Sequence, residues 1–311
     1  MQTQLIDGPG APIRRVHAII NPASGGVGPG AADDMATLFA EFGFDHRVSE
    51  LAAGQMESAV RAAIDAGPDL MVVLGGDGTT RLVAEMCGPR GPLVAPLPGG
   101  TMNKLDQALY GTKPWREVLF GALTDGQRFW VPGGEVGGRA FFCSAVLGSP
   151  ALWARSREAF RASRYSHAWR HAIIAFRRAF QARLRFEFDS REIGRGLAIG
   201  LICPTISRGL SSEDQALEAA VLDTINAGAG ARLILEHLLG DWREDPDVTV
   251  RPCVSGRVWA RDPIPGMLDG EFFRFDRQVE IRFRARAFRA LAPAPEPETE
   301  PDPTPELDQA P

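Results

Sequence analysis

The chain has 311 residues, of which 44% are hydrophobic, and this content is enough for one large core or two smaller ones, so we expect two domains. The net charge is -5, but residues 292–311 hold six acids and no base, and the remaining body is near neutral, which gives no support to nucleic-acid binding. The four cysteines lie far apart and form no CxxC pair, which excludes the usual spacing of a zinc or redox dithiol site.

The first part of the chain alternates short apolar runs with segments of helical spacing. Strands are predicted at residues 16–20, 44–48, 70–74 and 93–97, and helices at 32–42, 55–66, 79–86 and 102–109. This alternation predicts an α/β nucleotide-binding domain over residues 1–130, with a doubly wound, mostly parallel sheet.

After about residue 130 the pattern changes to alternating or apolar runs. Strands are predicted at residues 139–147, 184–188, 196–202, 248–250, 256–260 and 271–283. We therefore expect a second, β-rich domain over residues 131–291, an antiparallel sandwich interrupted by an amphipathic helical insertion at 151–183. Residues 292–311 contain seven prolines and six acids, a composition typical of a disordered tail.

No signal-peptide core is present, and no uninterrupted apolar run reaches the length of about 18 residues that a membrane-spanning helix needs. We expect a cytoplasmic protein that can still act as a peripheral protein at the inner membrane face. Its oligomeric state, including a homodimer, is left open by the sequence.

Three glycine-rich loops follow the first, third and fourth predicted strands. They are NPASGG at 21–26, GGDGT at 75–79 and PGGTMN at 98–103. Glycines let backbone N–H groups approach a phosphate, and a helix N-terminus favours an anion. Because the carboxyl ends of parallel strands share one edge of a sheet, we expect the three loops to meet around a single nucleotide.

These motifs, together with LDGE at 268–271, resemble the diacylglycerol kinase catalytic-domain superfamily, which includes sphingosine kinases, ceramide kinases and bacterial lipid kinases. The resemblance spans roughly residues 14–290 and implies an ATP-dependent lipid kinase. The residues that it implies in nucleotide binding are Asn21, Ser24, Gly25, Gly26, Gly75, Gly76, Gly78, Thr79, Gly99, Gly100, Thr101 and Asn103.

The same resemblance implies three acidic residues in catalysis. Asp77 would support phosphoryl transfer and hold Mg²⁺ through the bound ATP. Glu271 would be the general base that accepts the proton of the acceptor hydroxyl, and Asp269 would orient Glu271 or link it to metal. The alternative is that Asp269-Gly270 is an ordinary hairpin turn, which is a common use of this dipeptide.

The chain departs from the family pattern at several positions. Met102 replaces a glycine of the third loop, and Lys104 stands where many relatives have an acid. An element that holds a structural metal in some bacterial members maps to residues 219–223, but its first acid is replaced by Ala219. Since Asp223 alone would make a weak site for a hard cation, we predict no second structural metal.

The predicted helical insertion combines positive charge with aromatic residues, and residues 151–185 hold nine arginines against one acid. One stripe is apolar and flanked by arginines, which suits the headgroup region of an anionic bilayer. The residues predicted to contact lipid are Trp169, Arg170, Phe176, Arg177 and Arg178. The alternative is that this stripe packs on the β-rich domain.

The sequence thus predicts a kinase that uses ATP and Mg²⁺ and acts on a lipid at a membrane surface, with no nucleic-acid partner. Diacylglycerol, ceramide and sphingoid bases all remain open as acceptors. The rival hypotheses are a soluble phosphotransferase of the NAD-kinase type and a membrane-docking pseudokinase without activity.

Overall fold

The computed structural model of the protein describes residues 4–6, 11–52, 54–148, 151, 183–207, 209–210, 214–222 and 248–293. Five helices lie within these residues: α1 (Ala31–Glu41), α2 (Met56–Asp65), α3 (Asp77–Cys87), α4 (Lys104–Tyr110) and α5 (Trp115–Asp125). The strands of the first half are β1 (Gln4–Leu5), β2 (Arg15–Ile20), β3 (Asp45–Glu50), β4 (Leu70–Gly75), β5 (Leu93–Pro98), β6 (Gln127–Val136), β7 (Arg139–Phe141) and β8 (Ser144–Gly148). Those of the second half are β9 (Leu184–Phe188), β10 (Glu192–Gly196), β11 (Ala198–Ile202), β12 (Leu217–Leu222), β13 (Val248–Cys253), β14 (Ser255–Trp259), β15 (Pro265–Leu268), β16 (Glu271–Arg274) and β17 (Gln278–Ala292).

The first four long strands form a parallel sheet in the order β3-β2-β4-β5. Strand β4 is buried along its whole length, which explains its continuous apolar sequence. The chain passes from β2 outward to β3 and then returns across β2 to β4, so the strand order reverses between β2 and β4. Such a switch point is where open α/β sheets bind ligands. The predicted α/β fold class is confirmed.

The same sheet continues into an antiparallel half. Strand β17 pairs in parallel with β5 at Ala290 and Val94, and the N-terminal part of the same edge pairs with β14, which continues the sheet to β9 and β10 in antiparallel order. Strand β6 runs antiparallel to β17 over most of its length. The proposed boundary between residues 130 and 131 therefore falls inside β6, and the division into two domains stays a prediction.

A second, wholly antiparallel sheet has the order β13-β12-β11-β8-β15-β16. Its inner face packs against the antiparallel half of the first sheet in a core that contains Phe141, Phe186, Leu201 and Ile281. A separate core lies between the parallel strands and their helices. The sandwich-like β half of the predicted fold is confirmed.

Several elements differ from the predictions. Helix α5 and strand β12 were not expected, and the predicted strand at 271–283 is divided into β16 and β17. Ala292 is buried at the end of β17, so the predicted tail begins after it. The four cysteines are free and buried, as expected.

Residues 294–311 of the predicted tail lie outside the described residues, as does the helical insertion apart from Ala151 and Arg183. Among the helices of the described segments, none is long and apolar enough to cross a membrane.

Candidate active site

The three glycine-rich loops meet at the carboxyl edge of the parallel sheet. Gly26 N–H donates to the carbonyl of Gly99 at 2.9 Å, and Gly99 N–H donates to the carbonyl of Gly75 at 2.9 Å. The loops after β2, β4 and β5 are thus linked by their backbones around the switch point. Whether they bind a nucleotide stays a prediction.

Glycine is required in these loops because their backbones approach each other closely, and not only because the chain turns there. A Cβ added at Gly100 would lie 2.6 Å from Gly76 Cα, and one added at Gly99 would lie 2.8 Å from Gly75 N. Any side chain at either position would push the second and third loops apart. Gly25 and Gly26 of the first loop are exposed, so their backbone is accessible to a ligand.

The two predicted asparagines brace the loops from within. Asn21 donates from Nδ2 to Thr79 Oγ1 at 2.9 Å and accepts from Ala23 N–H at its Oδ1. Asn103 has a positive φ of 47°, and its side chain accepts from Gly100 N–H and donates to the carbonyl of Gly100. Both side chains therefore fix the shape of the loops, and their contact with a nucleotide stays a prediction.

Asp77 begins α3 and joins the second loop to the third. Its Oδ1 accepts the backbone N–H of Lys104 at 2.7 Å, at the first residue of α4.

Asp106 lies behind Asp77 and was missed by sequence reasoning. Asp106 is only 2% exposed, and among the described residues its Oδ1 has no hydrogen-bond partner. Burial, with a smaller contribution from Asp77, raises the pKa of Asp106 to about 8.

Glu271 reaches this edge on the hairpin of β15 and β16. The hairpin has a two-residue turn, Asp269-Gly270, in which both φ angles are positive, as a type I′ turn requires. A hairpin turn at Asp269-Gly270 is therefore compatible with a catalytic role of Glu271, because this turn positions Glu271. No sequence feature alone indicates that the hairpin lies against α3.

Asp269 is partly buried and anchors the turn. Its two carboxylate oxygens accept the backbone N–H groups of Phe142, Cys143 and Ser144 at 2.7, 2.8 and 2.9 Å. Burial raises the pKa of Asp269 to about 6, although these three hydrogen bonds act in the opposite direction. Because both oxygens are used in this way, Asp269 positions the hairpin, and its predicted link to metal has no support in this geometry.

Arg81 holds the Glu271 carboxylate and was missed by sequence reasoning. Its side chain, 2% exposed, donates from Nη2 to Glu271 Oε2 at 2.6 Å and from Nη1 to Glu85 Oε2 at 2.6 Å. Burial opposes its charge, but the two carboxylates raise the pKa of Arg81 above its ordinary value. The guanidinium therefore stays charged and fixes one oxygen of Glu271.

The second oxygen of Glu271 faces the phosphate loop. A Cβ built at Gly78 would lie 2.4 Å from Glu271 Oε1. Within the described part of the chain, this oxygen has no hydrogen-bond partner, and the side chain is 43% exposed. One carboxylate oxygen of Glu271 is thus held at the start of α3 and is open to solvent.

Gly78→Ala is expected to leave the fold intact and to reduce phosphoryl transfer about tenfold or more, because the new methyl group must displace Glu271 Oε1. The displaced atom is the end of a flexible side chain, so the cost in stability is small. Gly200→Ala is the matched control, since its new Cβ would meet Ala220 Cβ at an ordinary 3.8 Å. Thermal unfolding and initial rates of both variants check this, and a fully active Gly78→Ala protein would contradict the proximity of Glu271.

A cavity of about 540 Å³ adjoins the loops on the side of α4 and α5. Its lining includes Gly26, Gly100 and Asn103 from the loops, Lys113 from the segment before α5, and Trp115 at the start of α5. The volume lies in the range of small-molecule sites. Ser24 and Thr101 flank this region on partly or fully exposed loop positions.

The side chains near the loops could bind Mg²⁺ only together with the phosphate groups of a bound ligand. In the described ranges, no three His, Cys, Asp or Glu side chains are grouped closely enough to hold a metal. Mg²⁺ is usually bound through one or two carboxylates together with substrate phosphates. Asp77, at the loop edge, is the carboxylate that would supply such a contact.

The residues predicted to contact lipid, Trp169, Arg170, Phe176, Arg177 and Arg178, lie outside the described residues. Ala219 packs in the core of the second sheet, and Asp223 lies outside the described residues. The prediction about a second structural metal therefore stays a prediction.

Glycine-rich loops at the switch point of a parallel sheet are a common arrangement for binding a nucleotide or another phosphate-containing ligand. The family model named diacylglycerol kinase catalytic domain matches residues 15–127. The resemblance to that superfamily is thereby confirmed for this part of the chain.

Solved structures agree on the fold. A diacylglycerol kinase from Bacillus anthracis strain Sterne aligns with a TM-score of 0.65 at 14% identity, over 91% of this chain and 98% of that one. A second protein of that strain, assigned provisionally as a diacylglycerol kinase, gives a TM-score of 0.66 at 15% identity over the same shares. No curated protein matches the sequence.

Proposed function

We propose that the protein is an ATP-dependent lipid kinase that transfers the γ-phosphoryl group of ATP to a hydroxyl of a lipid such as diacylglycerol. The observation that carries this proposal is the position of Glu271, whose Oε1 faces Gly78 of the phosphate loop while Arg81 holds its Oε2 at 2.6 Å. A phosphate-binding loop and a general base in such proximity suit transfer to an alcohol.

In this proposal the phosphates of ATP contact the backbone of the three loops, and the adenosine lies in the adjoining 540 Å³ cavity. The N-terminus of α3 favours the negative charge of the phosphates. When bound, Mg²⁺ would be held by Asp77 and the phosphates and would neutralise part of the phosphate charge. Glu271 Oε1 accepts the proton of the lipid hydroxyl, and Arg81 holds that carboxylate in position.

The acceptor is tested with purified protein, labelled ATP and Mg²⁺, and separate incubations with diacylglycerol, ceramide, a sphingoid base and NAD. We expect label on diacylglycerol, and we expect the Asp77→Ala protein to lose at least tenfold in rate. Label on ceramide or the sphingoid base would identify a different acceptor, and the protein would still be a lipid kinase. Label on NAD alone, or ATP binding with no transfer to any acceptor, would overturn the proposal.

A further inference from the structure

The outer surface of the antiparallel half carries a depression lined by arginines. It has a volume of about 420 Å³, and we call its residues the arginine face: Arg183, Arg185, Arg195, Trp259 and Arg261. Leu184 and Phe186 alternate with these arginines and are buried in the core, so Arg183 and Arg185 lie on the outer side of β9. The depression is remote in the fold from the phosphate loops, which lie at the parallel end of the sheet.

The register of the strands places like charges directly opposite each other. Arg185 of β9 pairs with Arg195 of β10 on one side and with Trp259 of β14 on the other. Like charges at directly opposed positions destabilise a sheet. Within the described part of the chain, none of the four arginines of the face forms an ion pair, although Asp262 follows Arg261 in sequence.

The neighbouring half of the same sheet surface is neutralised. Arg257 lies opposite Glu187 on one side and opposite Glu280 on the other. Arg282 also forms an ion pair with Glu280. The chain thus balances its arginines with acids in one half of this surface and leaves them unbalanced in the arginine face, where an external anion would supply the missing charge.

Apolar groups accompany the uncompensated charge. Ile193, two residues before Arg195 and therefore on the same side of β10, is 75% exposed. Trp259 is partly exposed beside Arg185. Arginine suits phosphate recognition, and aromatic or aliphatic groups beside basic ones are typical of surfaces that meet a bilayer. A soluble phosphate would make no use of the exposed Ile193.

We propose that the arginine face is a binding site for the phosphate groups of an anionic lipid surface. Guanidinium groups of Arg185 and Arg195 bind lipid phosphates, while Ile193 and Trp259 enter the interfacial layer. The proposal concerns the arginine face alone, and not the residues at 169–178 that the sequence predicts to contact lipid; Arg183 is the last residue of the predicted insertion. The proposal does not depend on kinase activity.

The test is co-sedimentation of the full chain, without nucleotide, with vesicles of phosphatidylcholine alone or mixed with phosphatidylglycerol. The double variant Arg185→Gln/Arg195→Gln is expected to lose roughly thirtyfold in partitioning to the anionic vesicles. The matched control is Arg257→Gln/Arg282→Gln, which removes the same charge from the neutralised half of the surface and is expected to bind nearly as the unaltered protein. The first variant should also unfold at the same or a higher temperature, because it relieves an opposed pair of like charges.

Three results would overturn the proposal. Equal losses in the two double variants would show a non-specific charge effect, and unchanged binding in both would assign membrane contact to another part of the chain. Release of the protein by inorganic phosphate well beyond the effect of chloride at equal ionic strength would assign the face to a soluble phosphate. Each result leaves the acceptor assay unaffected, since that assay can use a short-chain lipid in solution.

Discussion

Glu271→Gln is expected to lower the rate of phosphoryl transfer about 10²–10⁴-fold while leaving nucleotide affinity nearly unchanged. The substitution keeps the size of the side chain, and its amide oxygen can still accept from Arg81 Nη2. The group that faces Gly78 loses its basicity, so the proton of the acceptor hydroxyl has no carboxylate to receive it. Initial rates with labelled ATP, together with equilibrium nucleotide binding, measure both parts of this prediction.

Glu85→Gln is the control that separates basicity from disturbance of Arg81. Glu85 Oε2 also accepts a hydrogen bond from Arg81 at 2.6 Å. The other oxygen of Glu85 accepts the backbone N–H of Ala140 and does not face the GGDGT loop. We expect this variant to lose less than tenfold in rate, roughly the cost of a weakened hydrogen bond. Equal losses in the two variants, or a Glu271→Gln protein that keeps most of its activity, would refute the role of Glu271 as general base.

The parallel half of the fold could be predicted well because its determinants are local. The apolar run at 70–74 corresponds to β4 within one residue, and the glycine loops follow their strands as expected. Strand β12 escaped prediction because its sequence, LEAAVL, is short and rich in alanine and is buried on both faces. Helix α5, which follows Pro114, is a second local element that was overlooked.

Only those site residues that belong to recognisable sequence motifs could be predicted. Arg81 and Glu85 are four residues apart on α3, which alone suggests an ordinary surface ion pair. The contact between Arg81 and Glu271 joins residues 190 positions apart and depends on how the hairpin packs against α3. Asp106 is similar, because an acid two residues after Lys104 gives no local sign that it is buried behind Asp77.

Asp269→Ala is expected to cost about 3–5 kcal/mol of stability, because three partly buried N–H groups lose their acceptor at once. The melting temperature should fall by roughly 10 °C. Phosphoryl transfer should also decline in the protein that remains folded, since the turn that places Glu271 is no longer tied to the segment at 142–144. Urea unfolding and rates below the melting transition provide the two measurements.

Asp189→Ala offers a closely matched control in the β9–β10 turn. Asp189 also has a positive φ, 49° against 45° for Asp269, and it accepts the backbone N–H groups of Val254 and Ser255. The strain of alanine at a positive φ is therefore common to both variants. Because the hydrogen bonds of Asp189 are exposed to water, whereas those of Asp269 are partly buried, water can replace the Asp189 carboxylate, so we expect a loss of about 1–2 kcal/mol with normal activity. If both variants lost equal stability and kept equal activity, the anchoring of Glu271 through Asp269 would be wrong, and the hairpin would owe its position to packing alone.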